Sequence, residues 1–222
     1  MLTQGNGGDA PKRRFPASSH HYSVHPSIEH LQQLRLNLPS ETGRSLAEWV
    51  RLVRKEGPEG AAERVAWLRH EHKLGKATAA LVLDAVDGRA EADNDHKAYL
   101  RAAPEYVEAM YGGARAGLRP IHDRLIQVSR ALGSDVRVCP GKQSVPLFRA
   151  ALFAEIKPVS RQRIELSLAL KGASRDLIRP PLAQIGGATR VARLTHRLAF
   201  DALDQVDQQV RDWLRAAYEL SR

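Results

Sequence analysis

The stretch ALFAEIKPVSRQRIELSLALKG, residues 151–172, carries the pattern that decides the fold of the C-terminal half of this chain. Apolar residues occupy every second position: Leu152, Ala154 and Ile156 alternate with Phe153, Glu155 and Lys157, and Ile164, Leu166, Leu168 and Leu170 alternate with Arg163, Glu165, Ser167 and Ala169. Strict alternation is typical of a strand with one buried face. The stretch therefore predicts two antiparallel strands of a sheet that is covered on one face.

Shorter segments with the same period flank these two strands. Residues 136–138 and 145–147 each place two apolar residues around one other residue, which is Pro146 in the second segment. Proline in a strand indicates an edge strand or a bulge. Residues 172–189 are typical of a loop, and residues 191–198 predict one more strand. The sequence thus predicts a small antiparallel meander.

Two amphipathic helices flank the predicted sheet. Apolar residues recur at helical spacing from Leu118 to Leu132, where Gly133 ends the helix, and again from Leu203 to Leu220. Helices with such apolar stripes cover one side of a sheet in α+β layer folds. We predict the α+β class, with an N-terminal helical module and a C-terminal small antiparallel sheet covered by helices.

The N-terminal half is predicted to be helical. Ser27 is placed to cap a first helix, and Ser45 with Glu48 forms a capping-box pattern ahead of a second. The helix predicted over residues 77–86 follows a short turn, as in helix-turn-helix DNA readers. Because it is apolar where a recognition helix needs polar side chains, we favour a packing role.

Composition along the chain predicts the domain boundaries. Residues 1–25 are rich in Gly, Pro, Ser, His and charge and predict a disordered tail. Residues 26–88 are predicted to form the helical module, and residues 89–114 a linker with a short helix. Residues 115–222 are predicted to form the α+β module.

Bulk composition narrows the class of protein. Apolar residues make up 43% and charged residues 27%, which is ordinary for a globular protein. The single Cys139 excludes a disulfide framework and a cysteine-based zinc cluster. No apolar run approaches the roughly 20 residues of a membrane helix, and the N-terminus lacks a secretory signal. We therefore expect a cytoplasmic protein that does not associate with membranes.

The net charge of the chain lies entirely in its back half. Residues 115–222 hold 19 Lys/Arg against 10 Asp/Glu, whereas residues 1–114 hold 15 of each sign. A concentrated positive potential attracts nucleic acid, phosphorylated metabolites or acidic proteins. Few aromatic residues are present to stack on bases, so contact with backbone phosphates is favoured. The sequence predicts a non-enzymatic binding protein whose basic C-terminal sheet surface engages an anionic partner, with nucleic acid as the preferred candidate.

Basic residues and one histidine in this region are candidates for the anion or ligand site. Arginine grips phosphate at two points, and a histidine between a hydroxyl and a guanidinium binds an anion or moves a proton. The candidates are Lys142, Arg149, Arg161, Arg163, Lys171, Arg193, His196 and Arg197. The alternative is that outward strand positions simply require polar residues.

A second hypothesis is a small-molecule-binding or resistance protein. Its pocket would lie between the terminal helix and the sheet, lined by Phe153, Trp213 and Tyr218, with His196 and Arg163 as polar anchors. An enzyme ranks last, because the sequence shows no nucleophile–base pair, metal-ligand set or phosphate-binding glycine loop. We expect no catalytic residue, no metal and no cofactor, and the sequence leaves the oligomeric state open.

Several stretches of the C-terminal half resemble a bacterial domain of unknown function. They are LRPIHDRLIQVSRALG (118–133), CPGKQSV (139–145), LTHRL (194–198) and VRDWLRAAYE (210–219). That domain is distantly similar to the YdhG-like domains, some of which are labelled iron chaperones. The resemblance implies an α+β module and little about activity.

Two further stretches resemble the small helical domain that often precedes it. They are ETGRSLAEWV (41–50) and VAWLRHEHKLGKATA (65–79). Together the two resemblances cover residues 27–220 and imply a two-module architecture. Lys76 stands where the family commonly has a histidine, and Ser144 where it has an aromatic residue, so a ligand held through those positions is not implied here.

Overall fold

The computed structural model describes residues 22–88, 95–186 and 193–222. Residues 1–21 of the predicted tail and residues 191–192 of the predicted last strand therefore lie outside the described residues. In the described part, no helix is both long and apolar enough to span a membrane.

Four helices form the N-terminal module. They are α1 (Pro26–Thr42), α2 (Leu46–Glu56), α3 (Ala61–His70) and α4 (Lys76–Val86). Their shared core is built from Leu38, Trp49, Val53, Leu68, Leu74, Ala79 and Val82. Helix α4 packs on the other three helices and buries Thr78, Ala79, Leu81 and Val82. This burial favours the packing role over base reading.

The starts of the first two helices follow local chemistry. The Ser45 N–H donates to Glu48 Oε2 at 2.7 Å, and the Glu48 N–H donates to Ser45 Oγ at 3.4 Å, which confirms the capping box. The prediction for Ser27 is wrong, because α1 begins at Pro26, whose fixed φ suits the first helical position. The cap is the preceding residue, His25, whose Nδ1 accepts from the Ser27 N–H at 3.2 Å.

Helix α5 (His96–Met110) joins the two modules. Asp95 caps it by accepting hydrogen bonds from the next turn, so the short helix predicted in the linker is longer than expected. Tyr99 and Ala103 pack with α1 in a small cluster, whereas Val107 and Met110 belong to the core of the C-terminal module. A 3-10 turn (Gly113–Leu118) then leads into α6 (Arg119–Arg130).

Six strands form one antiparallel sheet, which confirms the predicted α+β class. They are β1 (Arg137–Val138), β2 (Val145–Phe148), β3 (Leu152–Pro158), β4 (Ile164–Leu168), β5 (Ala183–Gln184) and β6 (His196–Phe200). Their order is β1-β2-β3-β4-β6-β5. Strand β5 falls within the stretch predicted as a loop, because its two exposed residues carry no alternation. A 3-10 turn (Leu203–Gln205) and α7 (Gln208–Glu219) end the fold.

Helix α7 packs on one face of the sheet, and α6 packs against α7 in the same core. A bulge adjusts this face: Leu147 pairs with Ala154 but Phe148 pairs with Leu152, so Phe153 is an extra residue in β3. Phe153 and Ala154 are both fully buried, which strict alternation would forbid. The bulge in β3 lies close to Pro146 of β2. Strand β2 has neighbours on both sides, so Pro146 does not lie on an edge strand.

The register gives the sheet two chemically different ends. Val145 pairs with Ile156, so the β1–β2 turn (139–144) and the β3–β4 turn (159–163) lie at the same end, which we call the hairpin end. At the other end Leu168 pairs with His196, and we call it the far end.

Residues 22–24 run beside β1 at the edge of the sheet. The Ser23 N–H donates to the Val138 carbonyl at 2.9 Å, and Tyr22 packs against the C-terminal core. The last residues of the predicted tail are therefore packed on the fold, because they hydrogen-bond to the backbone of edge strand β1, whose polar groups would otherwise be unpaired.

Candidate anion-binding surface

The open face of the sheet is close to electrically neutral. Glu155, Glu165, Lys157 and Arg197 share this face, since residues directly opposite in the register point to the same side. Arg197 Nη1 donates to Glu165 Oε2 at 3.4 Å. Glu155 Oε1 accepts from the Ser144 hydroxyl at 2.7 Å. The excess of cations therefore lies in the turns and loops and not on the strand surface.

The hairpin end carries four exposed cations: Lys142, Lys157, Arg161 and Arg163. Lys157 lies in β3, and tight turns fix the backbones of the other three, with the Gly141 N–H bonded to the Ser144 carbonyl at 2.8 Å and the Val159 N–H bonded to the Arg163 carbonyl at 3.0 Å. Because neighbouring strands are about 4.8 Å apart, the centres of the two turns are separated by about 10 Å. Within residues 22–88, 95–186 and 193–222, none of the four cations has an ion-pair partner.

Arg149, at the far end, is bound inside the protein. Its Nε donates to Asp135 Oδ2 at 2.8 Å, and its guanidinium lies 4.1 Å from the centre of the Tyr218 ring. The Tyr218 hydroxyl donates to Asp135 Oδ1 at 2.6 Å. The hydrogen bond from Tyr218, followed by that from Arg149, lowers the pKa of Asp135 below its usual value. The charge of Arg149 is therefore largely neutralised by the carboxylate of Asp135.

A glycine makes this arrangement possible. A Cβ on Gly133 would lie 2.1 Å from the Tyr218 hydroxyl and 2.7 Å from Asp135 Oδ1. No side chain fits there unless Tyr218 moves. The residue that ends α6 in the sequence pattern thus also makes room for the ring that Arg149 stacks on.

The remaining candidates at the far end are Lys171, Arg193 and His196. Lys171 and Arg193 are exposed. His196 is partly buried, and its Nδ1 lies 2.9 Å from Thr195 Oγ1. Burial lowers the pKa of His196, which favours the neutral imidazole at neutral pH and weakens it as an anion ligand.

The structure divides the eight predicted anion-site residues among three places. Lys142, Arg161 and Arg163 share the hairpin end, whereas Arg197 lies on the open face beside Glu165. The residues at the far end are Arg149, Lys171, Arg193 and His196. Lys157 is not among the eight predicted residues, although its place at the end of an alternating run, next to a turn with two arginines, is a usable signal.

Two cavities lie near the other predicted residues. One, of about 230 Å³, lies between β6 and the start of α7 and is lined by Trp213. Phe153 is fully buried beside Tyr218, and neither of them lines this cavity. The second, of about 500 Å³, lies at the far end beside Arg137 and Arg149. Both arginines are already bound to carboxylates, and the exposed Arg222 also lines this cavity.

A partly buried polar cluster links α5 to α6. Arg119 donates to Glu108 at 2.6 Å and to Asp123 at 2.9 Å, and His122 Nδ1 lies 3.1 Å from the same Asp123 oxygen. Burial alone raises the pKa of Asp123, but the hydrogen bonds from His122 and Arg119 outweigh it, so the pKa is lowered. These contacts account for the polar residues of this helix as an ion-pair cluster.

The single thiol of the chain, that of Cys139, is not activated as a nucleophile. Cys139 is buried, and burial raises the pKa of its thiol to about 12, so it is a poor nucleophile. In the part of the chain that the structure describes, no three His, Cys, Asp or Glu residues are grouped to hold a metal ion.

Two family models match the chain. A domain of unknown function (DUF5655) matches residues 107–221, and a second domain of unknown function (DUF4287) matches residues 31–88. No curated protein matches the chain, and no solved structure does. The two matches fit a protein of two modules of unknown function. Neither names the YdhG-like domains, so that likeness stays a prediction, as do the finer domain boundaries.

Proposed function

We propose that this chain, which belongs to the family of the domain of unknown function (DUF5655), is a non-enzymatic binding protein that contacts the phosphate backbone of nucleic acid through its hairpin end. The observation that carries the proposal is the group of four exposed cations there that have no ion-pair partner among the described residues: Lys142, Lys157, Arg161 and Arg163.

The state of each cation decides which surface attracts an anion. A guanidinium already bound to a carboxylate presents little net charge, as with Arg149 on Asp135 and Arg197 on Glu165. A cation without such a partner can neutralise a phosphate and release the counterion condensed on it, which is the main source of non-specific affinity. At the hairpin end three such cations, Lys142, Arg161 and Arg163, come from two neighbouring turns of one sheet, and Lys157 lies at the end of β3 next to one of these turns.

The chemistry of the hairpin end favours backbone contact over base reading. The two turns, residues 139–144 and 159–163, contain no aromatic residue that could stack on a base. Phosphate contacts position a protein without reading sequence. We therefore expect weak, sequence-independent binding in the range of about 10⁻⁴ to 10⁻⁶ M at physiological salt. A cytoplasmic location accords with this role and with a single cysteine.

The test is fluorescence anisotropy with labelled DNA and RNA oligonucleotides at a low and a higher salt concentration. The triple variant Lys142→Ala, Arg161→Ala, Arg163→Ala is expected to bind on the order of tenfold more weakly at low salt. The slope of log affinity against log salt should fall by about one for each lost contact.

A matched control removes the same charge from the far end. The variant Lys171→Ala, Arg175→Ala, Arg193→Ala changes three exposed cations there and in the adjoining loop and should bind nearly as the unmodified protein does. Equal weakening in both triple variants would mean that only net charge matters, and the hairpin end would not be a site. Binding that does not respond to salt would also contradict the proposal.

The small-molecule hypothesis remains the second candidate, because a cavity does lie between the terminal helix and the sheet. Its volume of about 230 Å³ is below the 300–1,000 Å³ range usual for small-molecule sites. The cavity is therefore large enough for a very small molecule or for a single side chain, and not for a typical ligand.

A further inference from the structure

The cavity between β6 and the start of α7 has an apolar inner surface. Leu198, Phe200 and Trp213 line it, and each of them is no more than 5% exposed. The Trp213 indole N–H donates to the Leu177 carbonyl at 2.7 Å, so the ring has no donor left and offers the cavity only apolar surface. An occupant therefore needs an apolar body that replaces water against these side chains.

The cavity also has one charged group. Among the described residues that line it, Asp207 alone carries a charge. Asp207 is exposed, and its Oδ1 accepts from the Val210 N–H at 3.0 Å as the cap of α7. In the part of the chain that the structure describes, its Oδ2 has no hydrogen-bond or ion-pair partner. A carboxylate oxygen in this state can accept from a positively charged donor.

The surroundings of Asp207 favour a cation over an anion. The connection from Asp201 to Asp207 contains three aspartates and no lysine or arginine, in a chain of net charge +9. Among the residues that the structure covers, none of these aspartates is in an ion pair. Neither His196 nor Arg163, which the sequence predicted as polar anchors of this pocket, lines the cavity. The charge at the cavity is thus negative, and a positively charged ligand is complementary to it.

The size of the cavity and the backbone beside it favour a free small molecule. The volume of about 230 Å³ holds about eight groups of the size of a water molecule. An extended peptide cannot add to β6 here, because the register places Pro181 opposite Ala199 and the Asp201 N–H already donates to Gln205 Oε1 at 2.9 Å. A molecule that enters the cavity whole needs no such backbone pairing.

We infer that this cavity binds a small primary amine, with its ammonium group on Asp207 and its apolar body against Leu198, Phe200 and Trp213. The charge-assisted hydrogen bond to Asp207 orients the ligand, and the buried apolar body adds affinity. The inference rests on the small-molecule hypothesis and does not require nucleic-acid binding, so the two can fail separately.

Benzylamine is the probe, because its ring and single ammonium group match the size and charge of the cavity. Two-dimensional NMR of the full chain should show shifts of the Trp213 indole and the Gln209 amide, with no shift of the Trp49 indole in the N-terminal module. The expected Kd is on the order of 1 mM, as for other very small ligands. Benzyl alcohol, which has the same shape and no charge, should bind about tenfold more weakly.

Asp207→Asn tests the carboxylate without removing the helix cap, since asparagine caps as well as aspartate does. This variant should bind benzylamine about tenfold more weakly and benzyl alcohol unchanged, which also shows that its cavity is intact. The matched control is Asp204→Asn, an exposed position of the same connection that does not line the cavity. It should bind both probes as the unmodified protein does.

Three outcomes would overturn the inference. Equal affinity for benzylamine and benzyl alcohol would remove the role of Asp207. Equal loss in Asp207→Asn and Asp204→Asn would reduce the effect to general electrostatics. Tighter binding of a lysine capped at both ends than of benzylamine would mean that the occupant is a protein side chain and not a free amine.

Discussion

The two ends of the sheet carry similar numbers of cations but handle them differently. At the far end Arg149 is bound by Asp135 and stacked on Tyr218, whereas at the hairpin end Arg161 and Arg163 face solvent without an ion-pair partner in the described part. Arg149 at the far end holds the fold together, whereas Lys171 and Arg193 at that end are exposed, as Arg161 and Arg163 are at the hairpin end. A count of basic residues cannot separate these two uses, but the contacts of each residue can.

Glycine substitutions should separate the two ends most strongly. Gly133→Ala forces a Cβ to within 2.1 Å of the Tyr218 hydroxyl, and we expect it to lower the free energy of unfolding by about 1–3 kcal/mol. The matched variant is Gly141→Ala at the hairpin end, where the nearest atom would be the Ser144 carbonyl oxygen at 3.4 Å. Its change should stay within about 0.5 kcal/mol. Urea unfolding measures both, and equal losses would contradict the proposed asymmetry.

Arginine substitutions give a smaller contrast. Arg149→Gln removes the partner of Asp135 and the cation over Tyr218, so the unfolding midpoint in urea should fall measurably. Arg163→Gln at the hairpin end removes no ion pair of the described structure and should leave the unfolding free energy within about 0.5 kcal/mol. The affinity for nucleic acid should fall more for Arg163→Gln than for Arg149→Gln. A midpoint that falls more for Arg163→Gln would refute the division of roles.

The far end should also respond to acid. The lowered pKa of Asp135 means that its carboxylate stabilises the fold above the unfolded-state pKa of about 3.9, and that this contribution is lost as the pH falls through the folded-state pKa. The stability difference between the unmodified protein and Asp135→Asn should therefore be full at neutral pH and shrink below about pH 4. Urea midpoints across that range measure it. A difference that grows in acid would show that the sign is wrong.

The thiol of Cys139 gives the smallest and most local readout. It follows β1 at the start of the hairpin end, and burial raises its pKa to about 12. We expect it to react with a thiol reagent near pH 8 only as fast as the protein unfolds. Rapid reaction in the native state would mean that the hairpin end opens, and the cations would not then be held on a rigid frame.

The sequence predicted those parts of the fold that depend on local pattern. Alternation over residues 152–170 gave strands β3 and β4, and the capping box at Ser45 is present in the structure. Strand β5 was not predicted, because its two residues are both exposed and show no alternation of apolar and polar side chains. The cap at His25 escaped because Pro26, and not the serine after it, starts the helix.

The candidate site was less accessible from sequence, because pairing between distant residues decides it. Arg149 meets Asp135 across 14 positions, and Arg137 meets Glu29 across 108. The sequence identifies every arginine and lysine as a cation. Only the folded structure shows which of them are paired with a carboxylate and which are exposed to a partner. The same holds for the cavity beside Trp213, whose walls come from β6 and α7 together with Pro181.

The short segment from Tyr22 to Val24 has a practical consequence for anyone who trims this protein to its recognised families. The first family match begins at residue 31, so a chain cut there would lose the Ser23 bond to Val138, the Val24 carbonyl that accepts from Arg137, and the packing of Tyr22. Strand β1 would then be an exposed edge strand that can pair with another molecule. Such a shortened protein should precipitate more readily than one that starts at Tyr22.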